Sequence, residues 1–199
     1  MKYEERNMLV ENVFLPEEIE EINIAVSNST GSAFVTHHAQ LNNFIQLPEH
    51  IIKKVEEKSR EISGNPNIVV TEYCHALYKN VEKDGKKYRP SLFPHYDETF
   101  KQPRFTFDYQ LKGNVDWEIV IENRGIMLSD NQAATFSGTH QIHWRRPTEF
   151  KDDQSIEMIF FHLSDPNSEP KSEEVNSIMD KKAEEYKAWY YENGGWTNG

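Results

Sequence analysis

The sequence predicts a mainly β fold, a cupin-like jelly roll with helices before it and one helix after it. Helical periodicity is confined to the two ends of the chain. Between them lies a run of about eight short segments of strand composition bounded by turn residues, the pattern of an all-β sandwich or barrel. The 199 residues fit one domain and can bury a sizeable core without disulfides or structural metals.

Pro16 suits the first position of a helix, and Ile19, Ile22 and Val26 follow at helical spacing until Gly31 ends the pattern. Pro48 starts a second helix with Ile51, Ile52, Val55 and Ile62 on one side, and Gly64-Asn65-Pro66 ends it. The stretch between, 33–45, can supply a strand or two. Strand texture begins in earnest with the β-branched and aromatic run 68–78, followed by a charged loop around 82–87. Further strands are expected at 91–97, 104–111, 117–122, 133–136, 141–145 and 155–163. Turn signals at 112–114, 123–125, 129–131 and 137–138 separate them. Helical spacing returns over 172–193, with Val175, Ile178, Met179 and Tyr186 on one face, and Asn193-Gly194-Gly195 stops it. The domain then divides into a helical N-terminal support (1–66), a jelly-roll core (67–165) and a C-terminal helix (170–193).

Composition narrows the function. With 22 basic and 33 acidic residues the net charge is −11, and such a surface repels phosphate backbones, so nucleic acid is not an expected partner. Hydrophobic residues at 37% and aromatic residues at 12% separate the chain from disordered sequences. A single cysteine, Cys74, permits no internal disulfide and fits a reducing compartment. Residues Met1 to Arg6 carry no apolar leader core, and no apolar run is long enough to span a bilayer. These features point to the cytoplasm and away from a membrane, and leave the oligomeric state open.

Two short segments could carry chemistry. Pro94-His95-Tyr96-Asp97 places a histidine and an aspartate two residues apart, and in extended chain such positions share a face. Gln141-Ile142-His143-Trp144-Arg145 offers a second histidine with a guanidinium on its own face. Two imidazoles and one carboxylate make the facial triad that leaves positions open on iron(II). The plainer reading is a hydrogen-bonded surface pair and a core histidine. His140, in the turn ahead of His143, is the reserve for the distal ligand. His37, His38, His75 and His162 have no partner pattern and read as structural.

From about residue 73 to 165 the chain resembles the 2-oxoglutarate/iron(II) oxygenases of prolyl-hydroxylase shape. The resemblance rests on Pro94-His95-Tyr96-Asp97, the strand 104–111, Trp117-Glu118-Ile119-Val120 and the turn leading to Gln132-Ala133. Phe136-Ser137-Gly138-Thr139, His143-Trp144-Arg145-Arg146 and Ile159-Phe160-Phe161-His162-Leu163 complete it. It implies a double-stranded β-helix and Fe(II) held by His95, Asp97 and His143. It also implies 2-oxoglutarate and O₂ as co-substrates for hydroxylating a C–H bond of a small molecule, amino acid or peptide residue, with release of succinate and CO₂. An intact carboxylate at Asp97 argues for hydroxylation over halogenation.

One departure stands out. Many members carry a basic residue about ten positions after the distal histidine to bind the far carboxylate of the keto acid. Here the window is 151–157, and its strand portion has no basic residue. Arg145 is the natural substitute, with an exposed surface charge as its plain reading, while Arg146 should point the other way. Tyr78 matches a tyrosine that hydrogen-bonds the co-substrate in relatives, or is a rim aromatic. The alternative function is a cupin-like metal- or ligand-binding module without oxidative turnover; a third is a jelly roll working through its surface. Substrate selectivity would fall to the barrel mouth, to 33–45 and to the loop 82–89. That loop is locally basic (Lys79, Lys83, Lys86, Lys87 and Arg89), which suits an anionic substrate or a solubilising charge run.

Overall fold

The computed structural model describes residues 8–98 and 101–198; the leader reading of residues 1–6 lies outside them. Strands β1 (Met8–Val10), β2 (Ser32–Val35), β3 (Gln40–Asn43), β4 (Val69–Lys79), β7 (Phe105–Gly113), β10 (Gln132–Phe136) and β12 (Ser155–Ser164) form one sheet. Its order is β1-β10-β7-β12-β4-β3-β2, antiparallel throughout. A smaller antiparallel sheet runs β11 (His143–Arg145), β8 (Ile119–Ile121), β9 (Arg124–Ile126). Strands β5 (Val81–Lys83) and β6 (Lys86–Tyr88) form a separate hairpin.

Side-chain alternation explains the layering. On β12, Ile159, Phe161 and Leu163 join the core beneath helices α1 (Pro16–Ser27) and α2 (Glu49–Ser63), with Ile22, Ile51 and Val55. Its Ile156 and Met158 point the other way, into a core shared with Ile119 and Ile121 of the small sheet. A strand covered on both faces has no polar side, which is why this segment reads as almost continuously apolar. The outer face of the small sheet, Val120 and Trp144, is covered by α3 (Glu173–Glu192) through Met179, Ala183 and Tyr190.

The helix ends follow the sequence signals. Pro16 stands in the first turn of α1, where Glu18 accepts the Leu15 N–H at 2.6 Å. Gly64 ends α2 in the left-handed region, φ 67°. Ser172 caps α3, its hydroxyl accepting the Val175 N–H at 3.3 Å. Ile178, expected on the inner face of α3, is exposed, and Ala183 and Tyr190 complete that face instead.

Other expectations are corrected. Residues 91–97 do not form a strand: only His95 bridges to His143, by reciprocal backbone bonds of 3.1 and 2.9 Å. Pro90 and Pro94 have no N–H to contribute to a ladder there. The charged loop at 82–87 is the β5–β6 hairpin, turned by Asp84 (φ 55°) and Gly85 (φ 72°), the paired positive φ of a two-residue turn. The turn expected at 123–125 falls at Glu122-Asn123, and Arg124 and Gly125 already belong to β9. Strands β2 and β3 meet the expectation for 33–45, whereas β1 falls where no strand was expected.

Candidate metal centre

The bridge at His95 brings the two chemical segments together. His95, Asp97 and His143 each offer a ligand atom, and these atoms lie within 4.8 Å of one another. His143 Nε2 stands 3.7 Å from Asp97 Oδ1. Each histidine has its Nδ1 against a backbone carbonyl, His95 on Phe93 O at 2.8 Å and His143 on Gln141 O at 3.1 Å. A carbonyl only accepts, so Nδ1 carries the proton and Nε2 keeps its lone pair for a metal. Burial holds both imidazoles below their usual range, His143 down to about 3 with the nearby His95 adding to the effect. Burial alone would raise the Asp97 carboxyl, but His143, His162 and His95, with the Thr106 hydroxyl, outweigh it and hold it low. Neutral imidazoles and an ionised carboxylate are the protonation states that a divalent metal requires.

Backbone contacts fix the carboxylate. The Asp97 N–H donates to Gly138 O at 2.8 Å, and the Thr106 hydroxyl donates to Asp97 Oδ2 at 3.4 Å. A Cβ at Gly138 would overlap both Asp97 Oδ2 and Thr106 Oγ1. Only glycine permits this close approach. His140 lies outside the cluster, in a turn with its Nδ1 2.9 Å from the Thr139 hydroxyl.

Arg145 is not a surface charge. It is 1% exposed, stacked over Trp117 with its guanidinium carbon 4.8 Å from the ring centroid. Nη1 donates to the Trp117 carbonyl and Nη2 to Met158 Sδ at 3.5 Å. No carboxylate of a described residue stands within ion-pair distance of it. Tyr78 lies beside this group, its ring edge-on to Trp117 at 5.0 Å. Its hydroxyl is not solvated: it donates to Gln40 Oε1 at 2.8 Å, and burial pushes its pKa well above the usual range. Arg146 points outward and pairs with Glu118.

Three solved structures illustrate what this arrangement resembles. An oxidoreductase of the 2OG-Fe(II) oxygenase family from Burkholderia pseudomallei matches with a TM-score of 0.63 at 12% identity, over 85% of this chain and 90% of that one. The non-heme alpha ketoglutarate dependent epimerase SnoN from nogalamycin biosynthesis gives 0.65 at 12% identity, over 82% and 80%. A prolyl hydroxylase from Trichoplax adhaerens, in complex with a hypoxia-inducible-factor peptide fragment, gives 0.53 at 12% identity, over 88% and 87%. The chain has the fold of the 2OG-Fe(II) oxygenases. No protein-family model matches the sequence, and no curated protein does.

Within this oxygenase fold, several residues stand near the triad that the sequence did not mark. His162, on β12, has its Nδ1 3.9 Å from Asp97 Oδ2. The His38 ring lies 6.1 Å from that of His95, and its Nδ1 donates to Ser91 O at 2.9 Å. A cavity of about 410 Å³ opens beside His95 and Asp97, walled by His37, His38 and Phe93 on one side and by Lys187 of α3 on the other. Thr106 and Asp108 line the inner face of β7. None of these belongs to a local motif: strand pairing brings in His162, Thr106 and Asp108, the 3-10 turn Thr36–His38 brings in the two histidines, and α3 brings in Lys187.

Proposed function

We propose that the protein is a non-haem Fe(II), 2-oxoglutarate-dependent dioxygenase. It would hydroxylate a C–H bond of a small molecule, amino acid or peptide residue. The observation that carries this reading is the His95–Asp97–His143 cluster, with both Nε2 atoms left bare by Nδ1–carbonyl bonds, inside a fold shared with 2OG-Fe(II) oxygenases. The donor set fits iron: two imidazoles and one carboxylate on adjacent extended segments. His95 Nε2, His143 Nε2 and the Asp97 carboxylate would hold it. Iron(II) bound there, with 2-oxoglutarate and O₂, supplies the oxidising power and releases succinate and CO₂.

The chain's own residues do the rest. Arg145 lies on the same strand face as His143, buried and without a carboxylate partner among the described residues. An uncompensated buried guanidinium is costly, and the far carboxylate of 2-oxoglutarate supplies the missing charge through two parallel N–H bonds. Tyr78 orients the Trp117 ring on which Arg145 stacks. The apolar walls of Ile119, Ile121, Phe136 and Met158 keep water from this end of the barrel. The cavity beside His37, His38 and Phe93 would receive the primary substrate. No helix among the described residues is long and apolar enough to cross a membrane, and we place the protein in the cytoplasm on its lone, half-buried Cys74.

The test is succinate formation from 2-oxoglutarate, dependent on iron(II) and stimulated by candidate substrates. His95→Ala, Asp97→Ala and His143→Ala should each abolish it and lose most metal affinity while the fold survives. Metal and keto-acid binding with no succinate under any condition would instead support a binding module without turnover. Normal metal binding by the His143 variant, with loss in His140→Ala, would move the distal ligand.

A further inference from the structure

The inner face of β7 carries Thr106, Asp108 and Gln110, while Phe107, Tyr109 and Leu111 face the helices. Asp108 pairs in register with Ala134 on one side and Phe160 on the other. It lies two residues along the same face from Thr106, which touches the metal ligand Asp97. Asp108 is buried, at 6% exposure, yet no described residue hydrogen-bonds its carboxyl. Such a group needs a partner, because an unpaired buried carboxyl forfeits its hydration for nothing. Arg145 faces the same interior: its Nη2 reaches Met158 Sδ at 3.5 Å, two residues along β12 from the Phe160 that pairs with Asp108, yet the two do not form an ion pair. The barrel interior thus holds a buried cation and a buried carboxyl that do not bond to each other.

A carboxylate satisfies both at once. It accepts two N–H bonds from a guanidinium and still has lone pairs for the O–H of a neutral acid. We propose that Asp108 is a second anchor for the far carboxylate of the keto acid, donating a hydrogen bond from its protonated carboxyl beside Arg145. This inference rests on the co-substrate reading above and deepens it: the site selects a keto acid that ends in a second carboxylate.

The environment supports a proton on Asp108. Burial raises its carboxyl to about 8, with Asp97 adding to the rise and Arg145 opposing it. Among the described residues, the other titratable groups on this inner face are Glu72, Cys74 and Tyr78 of β4, His162 of β12 and His143 of β11; β10 presents none there. An ionised Asp108 would repel a dianionic keto acid, so only the neutral form is compatible with one bound beside it.

The experiment measures binding, with Mn(II) in place of iron so that no turnover intervenes. Calorimetry at neutral pH compares wild type, Asp108→Asn and Asp108→Leu, each titrated with 2-oxoglutarate and with 2-oxobutyrate, which lacks the far carboxylate. Asn keeps one donor and should bind 2-oxoglutarate within about threefold of wild type. Leu keeps none and should bind it about ten- to a hundredfold more weakly. Neither variant should change 2-oxobutyrate binding. Without ligand, Asp108→Leu should melt above wild type, since an unpaired buried carboxyl is gone; this also shows that it folds. Equal 2-oxoglutarate affinity in wild type and Asp108→Leu, or tighter binding by the variant, overturns the proposal and leaves the co-substrate reading intact. Equal loss of both keto acids overturns it too, placing the effect at the metal end. Failure of wild type to bind either keto acid overturns the co-substrate reading itself, and this proposal with it.

Discussion

Asp97 shows how much of the centre depends on single atoms. Gly138 gives its carbonyl to the Asp97 N–H and lets the carboxylate pack against its Cα, where a Cβ would overlap Oδ2. Gly138→Ala should therefore push Asp97 off its position and lower metal affinity about 10- to 100-fold, the usual cost of losing ligand support. A Co(II) titration of the folded variant checks this; an unchanged affinity would show that the loop gives way instead. Asp108 allows a prediction for the metal-free protein. Its native carboxyl titrates near 8, against about 3.9 in an unfolded chain. Between those values the native state holds a proton that the unfolded state has lost, so this group makes stability fall as pH rises, by at most about 1.4 kcal/mol per pH unit. Below the unfolded value the contribution is flat, and above about 8 the full loss has been taken. Asp108→Asn should flatten this slope in urea melts across that range. A slope equal to wild type would mean that Asp108 is ionised in the native barrel. The clustering of His95, Asp97 and His143 could be read from sequence because His95 and Asp97 sit two apart, and His143 lies in an apolar alternation. Asp108 and Thr106 could not, because their significance comes from strands distant in the chain.

Strand β11 concentrates the site's logic in three residues. His143 and Arg145 face the interior, and Trp144 between them packs outward against Tyr186 at 4.9 Å. Arg146 continues outward to Glu118. Arg145→Ala should weaken 2-oxoglutarate binding by tens- to thousands-fold, since a charge-assisted contact in a dry pocket is worth about 2–5 kcal/mol. Metal affinity should change far less. The variant also leaves the Trp117 carbonyl without its donor, so a lower melting temperature is expected alongside. Arg146→Ala breaks a half-exposed pair, worth about 0–1 kcal/mol, and should leave keto-acid binding unchanged. A larger binding loss from Arg146→Ala than from Arg145→Ala would reverse the assignment. The position of Arg145 followed from alternation, whereas the failure of 91–97 to form a strand lies in Pro90 and Pro94, whose missing N–H groups outweigh the strand-like apolar residues beside them. The β5–β6 hairpin was harder to see: its strands are three residues each, charged, and too short for a period to show. β1 was hidden too, because three residues are too few to show a period; it is held by its pairing with β10 and by Val10 on the first core.

Across the whole molecule, three cores are stacked in order: helices on the large sheet, the two sheets face to face, and α3 on the small sheet. The first and third are conventional apolar layers. The middle one is divided between apolar walls and the polar groups they enclose: Arg145 reaches Met158 and Trp117, and the His143 ring lies 4.6 Å from that of Phe136. This division explains why the layered fold was legible from periodicity while the inner site was only partly so. Periodicity reports which face is buried, not which polar groups meet there. A middle core holding a buried guanidinium with no carboxylate partner among the described residues should be less stable empty than filled. Ligands that bind only the native state shift unfolding by RT ln(1 + [L]/Kd), about 2.7 kcal/mol at a hundredfold excess. For a chain of this length about 1 kcal/mol moves the melting temperature roughly 2–4 °C, so a saturating ligand should raise it by about 5–11 °C. Mn(II) alone should supply part of that rise through His95, Asp97 and His143. Adding 2-oxoglutarate to the Mn(II)-loaded protein should supply a second increment through Arg145, and 2-oxobutyrate a smaller one. Scanning calorimetry of one sample under the three conditions reads all of these. Were 2-oxoglutarate to raise the melting temperature equally with and without metal, the keto acid would be binding away from the triad. The increment tied to metal is the outcome that a joined site requires.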